Sequence, residues 1–255
     1  MLHSAKDAHG VEIDASDGKV GSIDDLYFDD AKWTIRYLVV DTGGWLTGRK
    51  LLLTPPSVGA ADWPRRQLSV RLSRQQIEDS PPIDTAKPVS RQHESDLYRH
   101  YGYPEYWNGP YLWGYTMLPA LLEQEPMELP DRREVREQME QQGNDSHLRS
   151  CRAVRGYHIH TADGDSVGHV EDFLFDERDW TIQLMLVDTR NWWPGRHVLV
   201  SPQRIERVDW AARQVFVKVT RAELEASPEY DSLKPPGQGG PHDLYRTPGR
   251  PLNPP

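Results

Sequence analysis

Alternation and punctuation along the chain point to short strands. Thr34-Ile35-Arg36-Tyr37-Leu38-Val39-Val40 is β-branched and apolar, stops at Asp41-Thr42-Gly43-Gly44, and is too short for a stable helix. Residues 67–72 and 214–219 alternate with period two. Residues 51–54 and 198–201 read as further strands, closed by Pro55 and Pro202. Asp17-Gly18 and Asp163-Gly164 are hairpin-type turns that open strands at 21–28 and 168–175. The period then changes: Ser73 and Thr220 stand as helix N-caps for one or two turns, ended by Pro81 and Pro228. These signals predict mostly antiparallel strands near 20–28, 34–41, 50–54 and 67–72, with counterparts 147 residues later. Five or so short strands with one short helix suggest a small closed or partly closed β-barrel.

The counterparts follow from an internal duplication. Residues 20–104 align on 167–251 at a constant offset of 147, without a gap, and more than a third of the positions are identical. Upstream, Gly10, Ile13, Asp17 and Gly18 match Gly156, Ile159, Asp163 and Gly164 at an offset of 146. Downstream, Asp96-Leu97-Tyr98-Arg99 recurs as Asp243-Leu244-Tyr245-Arg246. A long period present twice indicates two copies of a whole small domain rather than a solenoid. The expected division is a first barrel domain at 1–104, an aromatic and acidic linker with a short helix at 105–150, a second barrel domain at 151–234, and a Pro/Gly-rich tail at 235–255.

Composition narrows the function classes. The 255 residues carry a net charge of −9, with −2 in residues 1–104, −5 in residues 105–150 and −2 in residues 151–255. That balance repels phosphate and lacks the electrostatic footprint of a nucleic-acid binder. One cysteine, Cys151, excludes a disulfide framework and a cysteine zinc site. No run of about 18 apolar residues predicts a spanning helix, and residues 1–10 lack the apolar core of a signal peptide, so a cytoplasmic location is expected. No Gly-rich phosphate loop, G-x-S-x-G elbow or H-E-x-x-H occurs, and no catalytic residue is assigned. His158-x-His160 would put two imidazoles on one face of a strand, but two ligands do not make a site, and no metal or other cofactor is expected.

At Tyr37 to Trp45, followed by Gly48-Arg49-Lys50-Leu51-Leu52-Leu53-Thr54-Pro55, the chain resembles the PRC-barrel family, and residues 186–202 repeat the signature. That family takes its name from the cytoplasmic domain of the photosynthetic reaction-centre H subunit, and its fold also forms the C-terminal domain of a maturation factor for the small ribosomal subunit. The resemblance implies a mainly β chain with two tandem small PRC-type β-barrels, each with a short helix and an extended tail. It implies binding of other macromolecules and carries no shared catalytic site. The membrane helix of the first relative and the N-terminal domain of the second have no counterpart here.

Two features invite chemistry. Asp41, Trp45 and Arg49 recur as Asp188, Trp192 and Arg196 around a Gly/Trp loop. They are the candidate binding or loop-fixing residues, and each Asp is expected to contact its Arg, directly or through loop amides. Residues 101–117 hold seven Tyr and Trp among three glycines and two prolines. Such a segment has large contact area and no periodicity, so it is expected to lie as a strap on barrel surface, at the seam between copies or at a dimer interface, while the tail from 235 is loose. The reading is a non-enzymatic tandem binding or scaffold module with pseudo-twofold packing, engaging a protein partner of unknown identity, with a homodimer also allowed. The alternatives are a small-molecule sensor or enzyme using the Asp/Arg/Trp loop and, more weakly, a ribosome-associated factor.

Overall fold

The computed structural model describes residues 1–85, 87–122, 147–189, 197–227 and 230. In chain order these form β1 (Leu2–Ser4), α1 (Ala5–Ala8), β2 (Glu12–Ala15), β3 (Gly18–Asp29), β4 (Thr34–Asp41), β5 (Lys50–Leu53), β6 (Val58–Asp62), β7 (Gln67–Val70), α2 (Arg74–Glu78) and α3 (Arg91–Tyr101). The same order then repeats as β8 (Leu148–Ser150), α4 (Cys151–Val154), β9 (His158–His160), β10 (Ser166–Asp176), β11 (Ile182–Asp188), β12 (His197–Val200), β13 (Ile205–Asp209), β14 (Gln214–Val217) and α5 (Arg221–Ala226). The linker helix expected at 131–142 and the tail from 235 lie outside the described residues.

The chain divides into two compact units. One comprises His3–Ala153 with Phe175–Thr181, the other Met1–Leu2, Val154–Leu174 and Ile182–Pro255. Each contains a seven-stranded sheet. The first has the order β5-β4-β3-β2-β7-β6 with β8 added on β3, and the second β12-β11-β10-β9-β14-β13 with β1 added on β10. β2 with β7 and β9 with β14 run parallel, whereas β3 with β2, β4 and β8, β4 with β5, β6 with β7, β9 with β10, β11 with β12 and β13 with β14 are antiparallel.

The expected closed barrels are not formed: both sheets are open. Closure would require β5 to pair with β6, yet these consecutive strands stand at opposite edges of the sheet. Thr54-Pro55-Pro56-Ser57 between them forms a single 3₁₀ turn, tied by Ser57 N–H and Oγ–H donating to the Thr54 carbonyl at 2.9 and 2.7 Å. Two prolines in succession offer no N–H to a ladder, and a 3₁₀ turn redirects the chain instead of folding it back as a hairpin. The second copy makes the same turn at Pro202–Arg204, where Arg204 N–H donates to the Ser201 carbonyl.

A second departure concerns which copy supplies which strand. The duplication predicts that each copy builds its sheet from its own residues, whereas β8 opens the second copy and pairs with β3 of the first. Its register is Tyr27 opposite Ser150, Phe28 opposite Arg149 and Asp29 opposite Leu148. Reciprocally, β1 joins the second sheet. Leu2 packs there with Leu174, Leu184, Leu186 and Leu199 in a buried cluster. Both donated strands share an L-x-S pattern, and the serine caps the turn that follows: Asp7 N–H donates to Ser4 Oγ and Ala153 N–H to Ser150 Oγ, each at 2.9 Å.

Local signals otherwise act as read. Ser73 and Thr220 form capping boxes with Gln76 and Glu223. β4 is buried along nearly its whole length, which is why it reads as a continuous apolar run. Its hairpin with β3 turns at Trp33, whose φ of +51° is left-handed, and Trp180 repeats this at +62°. Each indole stacks on the phenylalanine five residues earlier, Phe28 at 5.2 Å and Phe175 at 5.4 Å, so ring contact offsets about 1 kcal/mol of backbone strain. The tail of the first copy, expected to be extended, contains α3. Ser90 Oγ caps it by accepting from His93 N–H, and Gly102 ends it at φ +73°. Its buried stripe includes Glu94 and Ser95 beside Leu97, Tyr98 and Tyr101, so hydropathy alone hid the periodicity.

Candidate functional site

The Gly/Trp loop between β4 and β5 is held by groups other than an Asp–Arg pair. Asp41 Oδ1 accepts from Gly43 N–H at 2.8 Å. The loop is tied across its base by Thr42 Oγ–H donating to the Arg49 carbonyl at 2.7 Å. The Arg49 guanidinium turns instead to the end of α2, donating to the carbonyls of Glu78 at 2.9 Å and of Ser80. Trp45 is half-buried beneath Arg74, whose guanidinium lies 4.4 Å from the ring centroid. Asp41 and Arg49 therefore share no ion pair, and this loop offers no joint anion clamp. In the second copy Asp188 is fully buried, with His169 Nε2 at 3.5 Å from its Oδ2. Trp192 and Arg196 lie outside the described residues.

The chemistry that concentrates in the first unit lies elsewhere, where α3 and the aromatic segment meet β4. Arg36 of β4 is completely buried. Its guanidinium stacks 3.9 Å from the Tyr106 ring centroid and 4.7 Å from that of Trp113. It donates to the Leu112 carbonyl at 2.8 Å and to Asp29 Oδ2 at 3.2 Å. Arg is suited to this position because its flat face stacks on aromatics while its edge donates in fixed directions. Next to it Tyr37 donates to Glu94 Oε2 at 3.0 Å, and Tyr106 donates to the same oxygen at 2.8 Å. The other oxygen, Oε1, is 3.2 Å from Arg91 Nη1 and 3.4 Å from His147 Nε2, yet accepts no hydrogen bond. Burial pushes the Glu94 carboxyl up to about 7 against the pull of Arg91 and the Tyr106 and Tyr37 hydroxyls.

This network divides the aromatic strap in two. Tyr101, Tyr103, Tyr106 and Trp113 are buried. Tyr101 donates to the Leu52 carbonyl at 3.1 Å, and the Trp113 indole N–H donates to the Asp179 carbonyl at 2.9 Å. These side chains anchor the strap, as its composition implies. Beyond the anchors the chain folds on itself, with Tyr111 N–H donating to the Gly114 carbonyl and Trp113 N–H to the Thr116 carbonyl, both at 2.9 Å. Gly109 and Gly114 touch there: a Cβ on Gly109 would lie 2.3 Å from the Gly114 carbonyl oxygen. At this tip Tyr111, Tyr115, Met117, Leu118 and Leu121 are exposed, and Met1 is the one other large hydrophobic exposed among the described residues.

Sequence reasoning singled out the strap but missed Arg36, Tyr37 and Glu94. A signal was present. Between the strands TIRYLVVD and TIQLMLVD, Leu38 and Val39 change only to other apolar residues, whereas Arg36 and Tyr37 give way to Gln183 and Leu184, and outside the strands Glu94 gives way to Pro241. Polar residues kept in one copy of an apolar strand mark a partner that only that copy has.

Two open sheets, each including one strand from the other copy's segment, define a tandem β module without a recognisable catalytic constellation among its described residues. The PRC-barrel domain model matches residues 13–64 and 148–224, just over half of the chain. The chain belongs to the PRC-barrel family, with two tandem family regions. Domains of this family generally act as protein-interaction and scaffold modules. No curated protein matches the chain. Among the described residues no helix is long and apolar enough to cross a membrane.

Proposed function

We propose that this protein is a non-enzymatic scaffold that engages a protein partner through the tip of its strap, residues 111–121. The observation that carries this reading is the clustering there of five of the six exposed large hydrophobics among the described residues. Apolar side chains left in water cost solubility and are retained where a partner covers them. Tyr and Met are among the residues enriched in interface cores. The base of the strap is pinned by Arg36, Glu94 and Trp113, so the tip is presented by a fixed backbone and loses little freedom on binding. The partner surface should be an apolar patch. A basic rim would match the net charge of −9.

The test compares proteins captured from the source organism by the full-length chain and by a Tyr115→Ser/Met117→Ser/Leu121→Ser variant. All three side chains are exposed, so the variant should melt within about 2 °C of the parent while losing its specific partner. Capture of the same partner with equal yield by both proteins would sink the assignment. Concentration-dependent self-association that the variant abolishes would identify the partner as a second copy of this chain.

A further inference from the structure

A second cluster, unrelated to the strap, lies in the other unit where β10 meets β11. His169 and Glu171 are two residues apart on β10, so their side chains project to one face, and Asp188 ends the neighbouring β11. One ligand-capable atom from each of the three lies within 4.8 Å of the others. His169 Nε2 and Asp188 Oδ2 are 3.5 Å apart. Asp188 is fully buried, and the other two are half-buried. The backbone is tightly set: a Cβ on Gly168 would lie 2.0 Å from the Asp188 carbonyl oxygen, so the two strands touch beside the donors.

The duplication provides an internal comparison. His169, Glu171, Asp188 and His197 correspond to Ser22, Asp24, Asp41 and Lys50. In the first copy Lys50 Nζ lies 2.7 Å from Asp24 Oδ2, and Arg152 donates to both Asp24 oxygens at 3.0 and 3.2 Å. In the second copy both carboxylates are kept, the position of the ammonium holds the imidazole of His197, and a second imidazole replaces Ser22. His197 stands directly opposite Asp188 in the β11–β12 register. Imidazole and carboxylate together are the donor set of first-row divalent ions, and two carboxylates with neutral imidazoles balance a 2+ charge. Four donors at about 2.1 Å around a tetrahedral ion sit about 3.4 Å from one another, close to the His169–Asp188 separation. The His158-x-His160 pair lacks this geometry, since His158 is exposed and His160 stacks on Phe216 at 5.1 Å.

We infer that His169, Glu171 and Asp188 form a binding site for a divalent transition ion of the Zn²⁺ class. The ion would cross-link β10 and β11 beside their contact at Gly168. Zn²⁺ titrated calorimetrically into the full-length chain should bind at one ion per chain, and Co²⁺ should give the visible absorption of a low-symmetry site. His169→Ala and Glu171→Gln should each weaken Zn²⁺ at least tenfold, whereas His158→Ala/His160→Ala should leave it unchanged. If His169→Ala does not fold, Glu171→Gln alters a half-buried donor without changing its size and gives the same readout. Absence of binding up to millimolar Zn²⁺, or binding that survives both His169→Ala and Glu171→Gln, would overturn the site.

Discussion

Replacing Glu94 by Gln tests whether the buried network under the strap is organised around a neutral carboxyl. Glu94 is completely buried on α3, faced by the Tyr37 hydroxyl from β4, the Tyr106 hydroxyl and His147 from the strap side, and Arg91 from its own helix, with Asp29 of β3 nearby. Desolvation raises its pKa from an ordinary 4.5 to about 7. A carboxyl raised on folding binds its proton more tightly in the folded state. Its contribution is therefore fully present below pH 4.5 and is lost as pH climbs through 7. The interval corresponds to about 3 kcal/mol. Gln keeps a carbonyl that can accept from both tyrosines and has no proton to lose. Urea unfolding of parent and Glu94→Gln chains, repeated from pH 4.5 to 8, should show the parent losing about 3 kcal/mol relative to the variant as pH rises. Titrating groups remote from position 94 are common to both chains and cancel, and a His147→Gln background in both chains removes the one imidazole that faces Glu94. A stability difference that stays constant within about 0.5 kcal/mol across that range would refute the reasoning.

Two further substitutions probe the anchors. Arg36→Gln installs the residue that the second copy carries, removes the donor to the Leu112 carbonyl and leaves Asp29 with backbone partners alone. It should cost about 3 kcal/mol and speed proteolysis at 111–117, and an unchanged urea midpoint would show that the stacked guanidinium contributes nothing net. Arg49→Ala should cost about 1 to 2 kcal/mol through the Glu78 and Ser80 carbonyls, and adding Asp41→Asn should change that cost by less than about 0.5 kcal/mol. A coupling above 1 kcal/mol in the double-mutant cycle would restore a direct Asp41–Arg49 interaction.

What the sequence determined by itself are the features set by neighbours along the chain. The duplication, the strand positions, the capping boxes at Ser73 and Thr220, and the anchoring of the strap by its aromatics follow from periodicity, turn chemistry and composition. Tertiary structure decided whatever depends on a partner far along the chain. The sheets stay open because the order of strands, not their pattern, places β5 and β6 at opposite edges. The L-x-S strands β1 and β8 pair with the opposite copy, a choice that three residues cannot encode locally. Arg49 reaches α2 rather than Asp41 because the helix end presents two carbonyls that the loop does not. Arg36 and Glu94 look like surface residues until the strap closes over them. Burial is a property of what packs above a residue, and for both of these the covering segment lies tens of residues away, or reaches over from another element, which no local pattern records.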